Sequence, residues 1–144
     1  LPLLRAASRG ILALRFRYRL LAILYGAFTE EIIMRLGVFS LLVWAMQALA
    51  SIQGRTPWIL WSINTLVSVL FAASHLPATA ALVKLTPLLV LRTFLINGTV
   101  SLSIGYVYFT YGLEAAIICH LAVDIVLQLA GEVGKHGSEL RTLL

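Results

Sequence analysis

Long hydrophobic stretches, separated by short polar or proline-containing segments, make up most of this chain. A helix needs roughly 20 mostly apolar residues to cross the hydrocarbon core of a bilayer, and these stretches approach or exceed that length. We therefore predict an all-α, polytopic transmembrane helical bundle with about four spans. The predicted helices run from about Leu20 to Ser51, from Trp58 to His75, from Leu88 to Phe109 and from Leu113 to Ala130.

Proline and glycine set the limits of these helices. Gly54-Arg55-Thr56-Pro57 predicts a loop, with the proline in the first turn of the second helix. Pro77 is expected to limit the second helix, because proline disrupts a helix interior. Tyr111-Gly112 separates the third helix from the fourth, and the glycines of residues 131–135 are expected to end the fourth.

Composition excludes an ordinary soluble domain. Of the 144 residues, 60% are hydrophobic and 12% are charged, whereas soluble domains carry about 25% charged residues. The net charge of +5 does not indicate nucleic-acid binding, since the basic residues are not set in a polar or aromatic groove. The sequence begins at Leu1 in the middle of an apolar run, so we expect a piece of a longer protein, truncated at its N-terminus.

Lysine and arginine are distributed unequally between the two ends of the predicted helices. Residues 1–19 carry five arginines and form a basic segment expected at the lipid headgroups. Residues 20–132 form the membrane core and residues 133–144 a short tail. The basic segment falls on the same side as Lys84, Lys135 and Arg141, and Arg55 falls on the other. The positive-inside rule then predicts a multi-pass protein of the cell membrane with both termini of this sequence cytoplasmic.

Ionisable residues inside hydrophobic segments are costly in lipid and mark functional sites by default. Glu114 falls in the first turn of the fourth helix, where the helix dipole favours a carboxylate, so we expect a structural role for it. Cys119 is expected to pack as a small apolar side chain. The acids and histidines that remain at membrane depth, with the arginine nearest to them, are Glu30, Glu31, Arg35, His75, His120 and Asp124.

Helical spacing relates several of these residues. Glu31 and Arg35 are spaced i, i+4 and are expected to pair, whereas Glu30 points about 100° away and is the better candidate for a general base. His120 and Asp124 have the same i, i+4 spacing, so Asp124 is expected to fix the tautomer of His120. Each pair taken alone also fits a structural polar contact between helices.

The grouped residues lie on three different hydrophobic segments. Span limits alone place Glu30 near the middle of the bilayer, His75 nearer the cytoplasmic side and His120 nearer the outer side. A helical bundle can bring side chains from several helices to one interior point. Because nearly all of the deep acids and histidines fall into these groups, the sequence favours a single site.

The deep ionisable residues fall into three ordered motifs. They are Glu-Glu-x-x-x-Arg at Glu30, Glu31 and Arg35, Phe-x-x-x-His at Phe71 and His75, and His-x-x-x-Asn/Asp at His120 and Asp124. These motifs resemble those of the CPBP family of intramembrane peptidases, also called the ABI family, and the resemblance covers about residues 25–128. That family includes type II CAAX prenyl endopeptidases and bacteriocin-processing or immunity proteins. The resemblance implies a membrane-embedded endopeptidase acting on a membrane-associated or prenylated, CAAX-type, protein or peptide.

The resemblance also implies roles for these residues. Glu30 and His75 would activate a water, and His120 and Asp124 would stabilise the oxyanion. Glu31 and Arg35 would hold this set in place. Prenyl endopeptidases carry asparagine at the position of Asp124, and an ionised aspartate would repel an oxyanion. Asp124 is therefore expected to be protonated or to act through His120.

No metal or other cofactor is implied, although members of the family have been labelled metalloproteases. The chain lacks the His-Glu-x-x-His motif of zinc proteases, while two histidines with acids leave zinc open as an alternative. The predicted partners are the lipid bilayer and a peptide or lipidated protein. A non-enzymatic immunity factor, scaffold or proton-coupled carrier is the alternative function, because buried acids and histidines also relay protons.

Overall fold

In the computed structural model, helices joined by short turns account for the described part of the chain. The described residues are 18, 20, 21, 23–50 and 56–142, without the side chains of 50 and 129–142. The first helix, α1, covers residues 23–50 and contains a π-helical segment, Ile32–Phe39, followed by Ser40–Ala50. The predicted all-α fold is confirmed. The other helices are α2 (Pro57–Ser74), α3 (Leu76–Leu82), α4 (Pro87–Tyr111) and α5 (Leu113–Thr142).

Several helical segments are suited to a membrane. Apolar side chains such as Leu24, Leu66 and Leu91 are exposed on the outside of the bundle, and surfaces of this kind fit lipid better than water. The role of α5 as a further span stays a prediction. Within the described residues, three segments are long and apolar enough to cross a bilayer, namely Ile23–Leu49, Pro57–Leu82 and Pro87–Tyr111.

The structure confirms one predicted helix limit and corrects another. The second predicted helix, α2, ends at Ser74, within one residue of the predicted limit at His75, and Pro77 lies in the first turn of α3, where its missing N–H costs no intrahelical bond. The break falls at His75, between α2 and α3. The fourth predicted helix does not end at residues 131–135, since α5 continues to Thr142 with Gly131 and Gly134 in its interior. Glycine inside a helix costs only about 1 kcal/mol relative to alanine.

The two turns that flank α4 follow the expected local chemistry. The hydroxyl oxygen of Thr86 accepts from the N–H of Leu89 at 3.3 Å, and Pro87 follows in the first turn. Gly112 ends the helix with φ of 98°, a conformation that residues with a Cβ rarely adopt. Its N–H donates to the carbonyl of Tyr108 at 2.9 Å.

Every fourth residue of α1 from Ala27 to Phe39 is buried against the bundle. In an uninterrupted α-helix each step of four residues drifts about 40° around the axis, so such a row would turn away from its neighbours. The π-helical segment has more residues per turn, and the N–H of Ser40 donates to the carbonyl of Arg35, five residues earlier. The wider turns offset the drift, and the row stays buried. Its members are Ala27, Glu31, Arg35 and Phe39.

The core lies mainly between α1, α2 and α4, and α2 packs most extensively against α4. Asn64 of α2 is completely buried and donates from Nδ2 to the carbonyl of Leu102 at 2.9 Å. Gly105 of α4 meets Asn64 so closely that a Cβ there would overlap the amide oxygen. One apolar cluster of this core consists of Phe39, Ile59, Leu60, Ile63 and Val67.

Some predictions concern parts of the chain outside the described residues. Of the basic segment 1–19, the structure describes Tyr18 alone, and residues 51–55 with Arg55 are not described. The interfacial position of the segment and the division into core and tail stay predictions.

Candidate active site

Glu31 is completely buried, and its carboxylate joins α1 to α5. Its Oε2 accepts from Nε of Arg35 at 3.0 Å, which confirms the predicted i, i+4 pair on α1. Its Oε1 lies 2.8 Å from Nδ1 of His120 on α5. Arg35 also donates from Nη2 to the carbonyl and the hydroxyl of Ser101 on α4, at 2.8 and 2.7 Å. We call these four residues the buried network, because none is more than 4% exposed.

His120 is oriented by Glu31, and the prediction that Asp124 fixes its tautomer was wrong. An ionised carboxylate accepts hydrogen bonds only, so His120 donates its Nδ1–H to Glu31. Its Nε2 lies 3.7 Å from Oε2 of Glu30 and 3.9 Å from Oδ1 of Asp124, beyond the usual hydrogen-bond length. The i, i+4 spacing showed that His120 and Asp124 share a helix face. It could not show that an acid from α1 approaches more closely.

His75 lies at the turn between α2 and α3, and its ring is held by its own helix. Nδ1 is 2.9 Å from the carbonyl oxygen of Phe71, which only accepts, so Nδ1 carries the proton. The neutral ring consequently has an unprotonated Nε2. The ring of Phe71 is buried, with centroids 4.7 Å from His75 and 6.0 Å from His120. Phe71 therefore packs against both imidazoles and limits their movement.

Glu30, His75, His120 and Asp124 line one cavity of about 450 Å³. The helices bring these side chains to the same cavity, although span limits alone placed them at different depths. The side chains of Glu30 and Asp124 are 40% and 31% exposed, so both carboxylates are accessible to a molecule in the cavity.

The cavity also has apolar walls and reaches the surface of the bundle. Ile96 of α4 and Leu127 of α5 both line it and are exposed on the outside. Ile23, Val100 and Val123 contribute further apolar surface. The site thus combines a small group of acids and histidines with walls that suit aliphatic side chains.

Three polar residues near the site were not singled out from the sequence. Ser101 holds Arg35 in the buried network, and Asn97 and Gln128 line the cavity. A signal for two of them was present, since Thr93, Asn97 and Ser101 recur at intervals of four along α4. Polar residues in such a row face the same side of a helix.

The acids and histidines of this site are of the types that bind zinc. Within the described part of the chain, no group of three or more histidine, cysteine, aspartate or glutamate residues is arranged to hold a metal ion. Nδ1 of His75 and Nδ1 of His120 are already bonded to Phe71 and Glu31. That the chemistry needs no metal stays a prediction.

The fold and the cavity together define a class of protein. Helices able to span a membrane carry acids and histidines into one internal cavity, as in a multi-pass membrane protein with an intramembrane functional site. The family model for type II CAAX prenyl endopeptidases, Rce1-like, matches residues 13–126. The chain therefore belongs to this family of membrane proteases, which confirms the resemblance carried by the three motifs. No curated protein and no solved structure matches it.

Proposed function

We propose that this protein is an intramembrane endopeptidase that hydrolyses a peptide bond of a prenylated, CAAX-type protein or peptide with a water activated by Glu30. The cavity that joins Glu30, His75, His120 and Asp124 is the observation that carries the proposal. Membership of the family supports the type of substrate. The role proposed for each of these four residues rests on the contacts of its side chain.

Glu30 and His75 act on the water. The Glu30 carboxylate is exposed to the cavity, whereas Glu31 is completely buried by its partners. Glu30 is therefore the acid that can take a proton from water and pass it to the leaving amine. The unprotonated Nε2 of His75 accepts the second hydrogen bond of that water and holds it in position.

His120 stabilises the tetrahedral intermediate. Its Nδ1–H is held by Glu31, which restrains rotation of the ring, and its Nε2 lies on the side of Glu30 and Asp124. With a proton on Nε2, it donates to the developing oxyanion. Asp124 lies 3.9 Å from Nε2, and it acts on the oxyanion through His120, because a carboxylate in direct contact would repel the negative charge.

The buried network keeps this arrangement in register. Arg35 binds the carbonyl and the hydroxyl of Ser101, so a shift of α4 relative to α1 would break two charge-assisted hydrogen bonds. Orientation by rigid partners is what a hydrolytic site needs, because small misplacements of the reacting groups cost large factors in rate.

A substrate reaches the site from the side of the bundle. Ile96 and Leu127 mark a point where the cavity meets the exposed apolar surface of α4 and α5. A prenyl chain can remain in the surrounding lipid while the adjoining peptide enters the cavity. The apolar walls then accept the aliphatic residues of a CAAX sequence.

Replacement of Glu30 tests the mechanism. In purified full-length chain, Glu30→Gln should lower the cleavage rate of a fluorescent farnesylated CAAX peptide by about 10²–10⁴-fold, since the general base is lost while the shape is kept. Glu114→Gln, the same change at an exposed acid outside the cavity, should cleave at the wild-type rate. Full activity of Glu30→Gln would contradict the proposal.

Two assays on the same purified protein distinguish the proposed peptidase from the alternative functions. Buried acids and histidines in contact with one another also suit a proton relay. Glu30-dependent proton uptake into vesicles, without cleavage of the farnesylated peptide, would show a carrier. An immunity factor or scaffold would show neither activity.

A further inference from the structure

Asn97 is a polar residue of the cavity that the mechanism above does not use. It lies on α4, one helical turn before Ser101 of the buried network, and it lines the same cavity as Glu30 and His120. Its side chain is half-buried. A neutral amide has no charge to contribute to the reaction, so the side chain of Asn97 can act only through hydrogen bonds.

The amide of Asn97 is held in one orientation. One N–H of Nδ2 donates to the carbonyl of Thr93 at 3.0 Å, and Thr93 itself is buried. An asparagine side chain offers two N–H donors and an accepting oxygen. In the described part of the chain, the second N–H and Oδ1 have no partner. A donor and an acceptor therefore stand side by side on the cavity wall.

A peptide that enters this cavity brings backbone groups that need partners. Each peptide unit carries one N–H and one C=O, and leaving them unpaired away from water costs free energy. The other walls near Asn97 are apolar, as Ile96 and Val100 show. A primary amide matches a peptide unit, because each offers both a donor and an acceptor.

We propose, on the basis of the proposed function, that Asn97 binds the backbone of the substrate. Its free Nδ2–H donates to a peptide carbonyl and its Oδ1 accepts from a peptide N–H. This contact holds the extended peptide against α4, opposite the acids and histidines. Asn97 is thus a substrate-binding residue that acts on affinity, while Glu30 acts on the rate of hydrolysis.

Binding can be separated from cleavage by measuring both. In the wild-type background, Asn97→Leu should raise KM for the farnesylated CAAX peptide about tenfold, with kcat changed less than about twofold, since it removes hydrogen bonds to the substrate. In the Glu30→Gln background, it should weaken binding of the same peptide about tenfold by fluorescence anisotropy. Ser103→Ala is the matched control, because Ser103 is an exposed residue of α4 with a similar bond to the carbonyl four residues earlier.

Ester analogues of the peptide identify the contact. Each analogue replaces one backbone N–H by an ester oxygen, and binding is measured in the Glu30→Gln background. The protein that retains Asn97 should bind one of these analogues more weakly than it binds the peptide. For that analogue, adding Asn97→Leu should cause no further loss of affinity, because the hydrogen bond between the two partners is already absent. Asn97→Ala replaces Asn97→Leu if the leucine variant does not fold.

The outcomes separate this inference from the function on which it rests. Unchanged binding by the Asn97 variants, or equal losses with the peptide and with every ester analogue, would overturn the inference, while Glu30-dependent cleavage would leave the proposed function standing. A chain that neither binds nor cleaves the peptide would overturn both. Coupling to one analogue, with unaltered Ser103→Ala, supports the inference.

Discussion

Glu30 and Glu31 are neighbours in the sequence with opposite surroundings in the structure. Glu31 is completely buried between Arg35 and His120, whereas the side chain of Glu30 is 40% exposed and lines the cavity. The offset of about 100° between successive helical residues accounts for the difference. The Arg35 partner of Glu31 followed from i, i+4 spacing. His120 could not be paired with Glu31 in advance, because the two lie 89 residues apart in the chain.

At the residue scale, Arg35 should be essential for stability. Arg35→Met leaves the buried Glu31 carboxylate without its ion pair and removes both bonds to Ser101. We expect a loss of about 3–5 kcal/mol in the free energy of unfolding, seen as a lower melting temperature in detergent. Arg92→Met, at an exposed arginine of α4, should unfold like the wild type. Equal melting of both variants would contradict the structural role of the pair.

Asp124 provides a second test at this scale. If it acts through His120 by stabilising the protonated ring, Asp124→Asn should lower kcat about as much as Asp124→Ala, because a neutral amide carries no charge that favours the imidazolium. Asp124→Ala should lower kcat, since it removes the acid 3.9 Å from Nε2 of His120. The measurement is kcat with the farnesylated peptide. Full activity of Asp124→Asn would contradict this role of the negative charge.

At the scale of the elements, local changes in the helices decide which residues meet. The π-helical segment Ile32–Phe39 keeps Glu31 and Arg35 in one buried row with Phe39. The break between α2 and α3 coincides with His75. Periodicity indicated that these segments are helical. It did not indicate the π-helix, because the choice between π and α turns depends on the packing of neighbouring helices.

The contact between α2 and α4 depends on a glycine. In Gly105→Ala the new Cβ would overlap the amide of Asn64, which must move and lose its bond to Leu102. We expect a loss of about 1–3 kcal/mol, measured by thermal unfolding in detergent. Gly98→Ala on the same helix meets Ala72 at an ordinary 3.9 Å and should be tolerated. Adding Asn64→Ala to Gly105→Ala should recover part of the lost stability, because the overlap with the amide is removed. No recovery at all would show that this overlap is not the cause of the loss.

At the scale of the whole molecule, the orientation in the membrane is open to direct measurement. The span Pro57–Leu82 has 26 residues, which at about 1.5 Å per residue exceed the roughly 30 Å of a bilayer core. Thr56 and Lys84 flank this span, so they should lie on opposite sides of the membrane. Positive charge on the side of Lys84 predicts that this side is cytoplasmic.

Single cysteines test that orientation. After Cys119→Ala, a membrane-impermeant maleimide should label Thr56→Cys from outside intact cells, and Lys84→Cys only in inside-out vesicles. Labelling of both positions from the same side would contradict the span. Reversed labelling would overturn the predicted orientation and leave the span intact.

The sequence by itself determined the membrane environment, the helices and the identity of the deep ionisable residues, because hydrophobicity and helical spacing are local properties of the chain. It also determined the pairing of Glu31 with Arg35, which needs one helical turn. The tertiary structure decided that Glu31 orients His120, that Ser101 anchors Arg35 and that Asn97 faces the cavity. These contacts join different helices, and their distances follow from the stagger and packing of the bundle, which no single segment encodes.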